Sequence, residues 1–409
     1  MTLSLRMAWR NLWRHKRRTW LTATAMIFSN VLLIFMISLQ LGSYDMMINN
    51  TLQAFSGHLQ VQQAGYNDNP KLRTSIPNAQ ALADRARQAL PGFRVTARAA
   101  AFALASSEQR SFGIQVTGVQ PEFEPGVSTL PGLVSEGRFL QDPDAAEIVI
   151  GSVMARNLKV ETGDELTLLG SGRDGSFAAG VVTVIGIFDS GSNDMDRSFA
   201  EVPLNYFQET FAMDGHGSSI AVSVDNLEQI PAAVTAMENL VRDGNGLVVL
   251  DWNALHPGLQ QAIKADFASA WFMYGVLIVL VAFSVLNTQL MSVLERTREF
   301  GVITALGIKP GKLASLVMLE TVLMSAIGLV IGVFLGTLVA LYFNTNGFSY
   351  PGMEEAAERF NLPGDVYPSV SAIALLLGPV VVFMFCLLAS IYPALRLFRL
   401  RPVEAMRAV

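Results

Sequence analysis

The sequence predicts an α-helical membrane protein with four transmembrane helices and a large extracytoplasmic α+β domain inserted between helices 1 and 2. Three observations predict it. The chain is 51% hydrophobic and only 15% charged, a balance that separates membrane proteins from soluble ones. Four apolar runs reach the roughly 20 residues that a helix needs to cross a bilayer. Basic residues gather beside some ends of these runs and avoid others, as they do when one side is cytoplasmic.

Residues 1–19 come first. Leu5, Trp9, Leu12 and Trp13 share one helical face, and Arg6, Arg10, Arg14 and Arg17 share another. This pattern reads as a cytoplasmic amphipathic helix in the membrane interface, with arginines toward anionic lipid; a basic flank that only sets topology is the alternative. The first span is 20–42, "WLTATAMIFSNVLLIFMISLQLG". It is longer than a signal-peptide core of roughly 7–15 residues and ends in no small-residue cleavage site, so it reads as a retained anchor.

Residues 43–266 form the outer domain. Strands are expected at 57–63, 93–106, 111–119, 147–151, 164–170, 180–189, 218–224 and 246–251, where β-branched and alternating apolar residues lie between turn residues. Helices are expected at Asn78–Leu90, Leu204–Ala212, Leu227–Arg242 and Asn253–Asp266, the last running on into the second span. Strands mixed with helices give an α+β domain of one or two subdomains. Its 14 Lys/Arg against 26 Asp/Glu exclude nucleic acid as a partner. The lone Cys386 lies in the fourth span, so the outer domain folds without a disulfide.

The second span is 267–293, followed by a hook at 294–312, a third span at 313–343, a loop at 344–368, a fourth span at 369–393 and a tail at 394–409. The third span carries Gly328, Gly332 and Gly336 four apart. Such a stripe lets a neighbouring helix approach closely, either within this chain or in another subunit. The loop 344–368 holds an acidic helical patch around Glu354, Glu355 and Glu358. Lys/Arg crowd 1–19, the hook and the tail, whereas 344–368 has only Arg359. Both termini and the hook are therefore expected in the cytoplasm and 43–266 outside.

The sequence offers no catalytic constellation. "GIKPGK" lacks the glycine spacing of a phosphate loop, and Leu313 stands where Ser or Thr would hold Mg²⁺. His15, His58, His216 and His256 lie on separate segments without metal-ligand spacing. Asp189, Asp194 and Asp196 do not fit an EF-hand and read as a solvated acidic turn. Glu320 is the one acid inside a span; a proton relay would need several, so it is expected to pair with a nearby Arg, to cap, or to face the hook.

The hook itself, "ERTREFGVITALGIKPGK", is more elaborate than a turn requires. Glu295, Arg298 and Glu299 fall on one side of a helix extending the second span, and Gly301 and Gly307 permit bends before Pro310 restarts the chain. A charged, well-formed hook reads as a docking element.

"MSVLERTREFGVITALGIKPGKLASLVMLET", the ending "YPALRLFRLRPVEAMRAV" and the opening "AWRNLWRHKRRTWLT" together resemble ABC transporter permeases of the MacB/LolC–LolE/FtsX superfamily, the mechanotransmission type. The layout of one span, a large outer domain and three spans is similar as well. The resemblance implies a non-catalytic permease subunit of the bacterial inner membrane that pairs with a second copy or a homologous permease. Two copies of a separate cytosolic ATPase, which binds ATP and Mg, would dock on Glu295, Arg296, Arg298, Glu299, Phe300, Gly301, Leu306 and Gly307; this chain itself needs no cofactor or metal. Stalks at Ser43–Phe55 and Asn253–Asp266 would carry the motion outward. The layout is most similar to the lipoprotein-releasing LolC/LolE branch, which implies lipoprotein or other lipidic cargo, a periplasmic carrier and contact with membrane lipid. Phe35, Met36, Leu39, Met46, Met47, Phe272 and Met273 are candidates to face such cargo, since methionine surfaces adapt to varied chains. Efflux of a drug or peptide, and FtsX-like signalling to a cell-wall hydrolase, are the alternatives; the FtsX-type outer domain is usually much smaller.

Overall fold

The computed structural model describes residues 3–14, 16–242, 246–349 and 364–399. They divide into a helical unit (Met1–Asp45, Ile263–Ser349, Asp365–Val409) and an outer unit (Met46–Ala262, Tyr350–Gly364). The expected acidic patch of the loop, His15 and the end of the tail fall outside the described residues.

Helix α1 (Leu3–Arg14) buries Ala8 and Leu12 and leaves Trp9 and its arginines exposed. Helix α2 (Lys16–Thr51) buries Thr22, Ala23, Met26, Asn30, Leu33, Ile34 and Ile37, a stripe at the three- and four-residue spacing of a single helical face. One π turn, Leu52–Ser56, follows and is closed where the Gly57 N–H donates to Leu52 O at 2.8 Å. Gly57 has φ +72°, which a glycine adopts without a Cβ penalty.

The outer unit is a ten-stranded mixed sheet: β1 (Leu59–Gln63), β2 (Arg94–Ser106), β3 (Ser111–Val119), β4 (Val134–Gly137), β5 (Glu147–Gly151), β6 (Glu165–Ser171), β7 (Phe177–Phe188), β8 (Phe199–Pro203), β9 (Ser219–Ser223) and β10 (Leu247–Asp251). The order is β10-β1-β9-β2-β3-β8-β5-β7-β4, and β6 pairs with both β2 and β7. Strands β2, β3, β8, β5, β7 and β6 therefore close into a ring, and closure removes the free edges that a sheet otherwise exposes. Pairs β3–β8 and β5–β7 are parallel. Inside the ring, Ala101, Ala103, Ile114, Val116, Ile148, Ile150, Leu166, Leu168 and Val182 form one apolar core with the helices that cover the sheet. These helices are α3 (Ala79–Ala89), α5 (Ser152–Leu158), α7 (Leu204–Thr210), α8 (Ile230–Val241) and α9 (Trp252–Leu255); the short α4 (Glu124–Val127) adds no residue to this core, and α6 (Asn193–Ser198) places Met195 against a second cluster with Val149, Phe188 and Phe199.

Two expectations for this unit need correction. Strands β4 and β8 had no sequence signal, because Val134–Gly137 is polar and short and β8 carries Glu201 at its centre and ends in Pro203. The helix expected over Asn253–Asp266 is interrupted: α9 stops at Leu255, and His256 sits at φ −125°, ψ 66°. Pro257 clashes with a helical predecessor, so the chain leaves the helix there and restarts.

Helix α10 (Pro257–Glu295) then runs unbroken for 39 residues. Helix α11 (Thr297–Ala305), α12 (Pro310–Asn346) and α13 (Ala372–Arg396) complete the helical unit. Among the described residues, four helices are long and apolar enough to cross a membrane: Thr19–Thr51, Pro257–Glu295, Pro310–Asn346 and Ala372–Arg396.

Candidate functional site

The hook is not a plain extension of the second span. Arg296 leaves helical geometry at φ −97°, ψ 11°, and α11 starts anew after it. Gly301, expected to permit a bend, lies buried inside α11. Gly307 is the bend, at φ +93°. Lys309 is then extended ahead of Pro310, which opens α12 at the helical position where a missing N–H costs nothing.

Of the eight candidate docking residues, three face inward. The Phe300 side chain is buried against Val293, Leu313, Ala314, Val317, Ala394 and Leu397, Gly301 is buried beside it, and the Arg296 guanidinium lies 4.8 Å over the Phe300 ring. Arg296 Nη1 donates to both oxygens of Glu320, at 3.0 and 3.2 Å. Asn11 Nδ2 of α1 donates to the same carboxylate at 2.7 Å. Polar groups this far from water need such hydrogen-bond partners. Glu320 therefore ties α1, α12 and the root of the hook together. Glu299 adds an exposed link by pairing with Arg14 at 3.2 Å and Arg296 at 3.4 Å.

The other five candidates, Glu295, Arg298, Glu299, Leu306 and Gly307, are exposed. Leu306 is 79% exposed and stands at the apex, with exposed Val302 and Ile308 near it. Sequence reasoning did not single out Asn11 or Ile308, and it placed Arg14 on the basic face of the first helix without a partner in the hook; of these only Ile308 carried a signal for the hook, as an apolar residue in a turn. The arrangement is a hook anchored at its root that presents charge and one apolar tip.

The glycine stripe of α12 meets α2 of the same chain. A Cβ on Gly328, Gly332 or Gly336 would lie 2.9, 2.6 and 2.6 Å from atoms of Met26, Asn30 and Ile34. Asn30 Nδ2 also donates to Gly328 O at 3.3 Å. The candidate cargo residues are scattered. Phe35 packs on Phe343 and Phe348, with centroids 5.3 and 5.4 Å away, and Met36 and Leu39 are half-buried. Met46 and Met47 belong to the outer unit. Phe272 and Met273 are exposed, and Phe272 borders an apolar groove of about 540 Å³ with Trp271, Val276, Val279 and Phe385.

In the outer unit, Asp196 is buried and accepts from Ser190 N (3.0 Å) and Ser190 Oγ (2.6 Å), so it closes a loop. Among the described residues, no group of three His, Cys, Asp or Glu could hold a metal ion.

Residues 19–240 match the family described as MacB-like periplasmic core domain, and residues 271–402 match the FtsX-like permease C-terminal family. The chain belongs to the MacB/LolC–LolE/FtsX superfamily of ABC transporter permeases. This permease is 26% identical over 311 residues to the lipoprotein-releasing system transmembrane protein LolC of Xylella fastidiosa (strain 9a5c), covering 71% of this chain and 72% of that one. It is 25% identical over 276 residues to the macrolide export ATP-binding/permease protein MacB 1 of Aeromonas hydrophila subsp. hydrophila, covering 64% and 39%. Among solved structures, the extracellular domain of the noncanonic ABC-type transporter YknZ from Gram-positive bacteria is similar to 47% of the permease over 99% of its own length, at 19% identity and a TM-score of 0.35.

Proposed function

We propose that this permease is a non-catalytic subunit of the bacterial inner membrane, with cytoplasmic termini and a periplasmic outer domain. It works as a pair with itself or a homologous permease and is driven by two copies of a separate cytosolic ATPase that bind ATP and Mg. The observation that carries this reading is the hook. A loop bolted down by Arg296, Phe300 and Glu320 yet tipped with a Leu306 exposed to 79% is built to be gripped from outside. Exposed apolar tips rimmed by charge are a common anatomy of docking sites.

Lipoprotein or other lipidic cargo is the cargo reading that the likeness to LolC supports, with a periplasmic carrier as its receiver. The match to MacB 1 favours efflux as the second reading, and signalling to a cell-wall hydrolase stands behind it. Affinity purification from native membranes, with mass spectrometry of proteins and lipids, tests all of these. The expected result is an ATPase accompanied by acylated proteins. An adaptor or a hydrolase without acylated cargo would move the cargo reading to efflux or signalling. The Leu306→Asp variant is expected to recover at least tenfold less ATPase at unchanged expression; full recovery would remove the hook from the docking surface.

A further inference from the structure

In the outer unit, a buried polar cluster lies where the π turn Leu52–Ser56 meets the sheet. Arg98 projects from β2, is 2% exposed, and faces Glu124 of α4, which is fully buried. The pairing is bidentate: Arg98 Nε donates to Glu124 Oε2 at 3.1 Å, and Arg98 Nη2 donates to Glu124 Oε1. Thr96 Oγ1 donates to the same carboxylate at 3.3 Å. The remaining arm of the fork, Nη1, donates to the main-chain carbonyl of Phe55, and the guanidinium lies 4.8 Å over the Phe55 ring.

Other contacts hold the same turn. The Phe55 ring packs edge-on against Phe199 of β8 at 4.4 Å. Thr129 N–H donates to Gln53 O at 2.7 Å, Gln60 Nε2 donates to Ser56 O at 2.7 Å, and His256 Nε2 lies 2.9 Å from Ser56 Oγ. The turn continues α2 directly. A buried bidentate ion pair is a costly way to stabilise a fold, because apolar packing would serve as well. What it adds is a single fixed geometry, and Arg supplies that where Lys cannot.

We propose that Arg98, held in place by Glu124, is the positioning residue that locks the end of α2 to the sheet of the outer domain, so that displacement of α2 becomes displacement of that domain. The transmission half rests on the permease reading above; the locking half does not. Neighbouring Glu201 is also fully buried, and neither of its oxygens has a hydrogen-bond partner among the described residues. Burial first, and the Glu124 carboxylate second, push its carboxyl well above the usual range.

Two measurements on the full chain test the proposal. The first is amide exchange of the purified protein in detergent, comparing wild type with Arg98→Lys, which keeps the charge but loses the fork, and with Arg94→Lys, whose pair with Asp225 is exposed. Arg98→Lys is expected to speed exchange in peptide 52–57 about tenfold while strands β5 and β9 are unchanged, and Arg94→Lys is expected to be silent. Unchanged exchange at 52–57, or a rise across the whole sheet, overturns the lock. The second uses the permease with its ATPase and a spin label at exposed Gln109. Arg98→Lys should keep ATP turnover within about twofold of wild type and lose the ATP-dependent shift in label distance. A shift equal to wild type, or turnover that falls in step with it, overturns transmission. If wild type recruits no ATPase, the permease reading fails, and the exchange result still decides whether Arg98 locks the turn.

Discussion

At the residue scale, Glu320 shows what can be read from a chain and what only folding supplies. An acid two turns into an apolar helix is conspicuous, and an Arg beside it in the hook is a natural partner. Asn11, 309 positions away, is not; nothing local in "RNLWR" distinguishes an amide that reaches a carboxylate from one that meets solvent. Removing this carboxylate leaves a largely buried guanidinium with only its longer, half-exposed contact to Glu299 as an ion pair, and charged hydrogen bonds of the kind lost are worth about 2–3 kcal/mol. Glu320→Gln is therefore expected to lower the melting temperature of the purified protein by several degrees and to weaken ATPase stimulation, since Arg296 positions the hook. Arg14→Gln breaks only the exposed pair with Glu299 and is expected to cost less than about 1 kcal/mol. Equal melting of wild type and Glu320→Gln would reduce the carboxylate to a bystander.

At the element scale, legibility follows how local the cause is. Strands β2, β3, β5 and β7 announce themselves through their own β-branched and alternating residues, and the break at His256 could have been taken from Pro257 alone. Strand β8 could not. It exists because β3 and β5 flank it and supply its hydrogen bonds, and that cooperation outweighs a central Glu and a terminal Pro. The hook residues were legible as a group, but which of them face inward depends on α12 and α13, far along the chain. The glycine stripe was legible as a stripe, whereas its partner was not. Because a Cβ at Gly332 would sit 2.6 Å from Asn30 Cβ, Gly332→Leu should push α2 and α12 apart at a cost of about 1–3 kcal/mol. Gly275, where an added Cβ would have nothing within 4 Å, provides the control: Gly275→Ala should leave thermal stability unchanged or slightly raised. Comparable losses in both variants would mean that the stripe does not set the helix contact.

At the scale of the whole molecule, the layout of spans and outer domain was written in composition, since bilayer thickness and charge asymmetry act on long stretches and not on single contacts. The response of the molecule to acid was not. Each of His58, His216 and His256 lies in the outer unit, and burial holds every one of them below its usual pKa. His58 is the extreme case, lowered to about 4, by burial first and by the Arg94 charge second. Its hydrogen bonds agree. Nδ1 accepts from Val224 N–H at 3.2 Å, so Nε2 carries the proton and donates to Asn49 Oδ1 at 3.0 Å. A second proton on Nδ1 would face a donor. The unfolded chain takes up this proton near pH 6.5 and the folded one only near 4, so stability is complete above about pH 6.5 and drains as the pH falls between those values. At about 1.4 kcal/mol per pH unit, His58 alone accounts for roughly 3 kcal/mol of loss by pH 4, and His216 and His256 add to it with the same sign. Thermal melts of the full chain in detergent, followed by circular dichroism from pH 7.5 to 4.5, should show the β-rich signal melting earlier as the pH drops. In His58→Gln the melting temperature should start lower but fall less steeply with acid. A slope equal to that of wild type would place the acid sensitivity elsewhere, on His216 and His256, which burial also holds below their usual range, and would leave His58 as a purely structural hydrogen-bonding group.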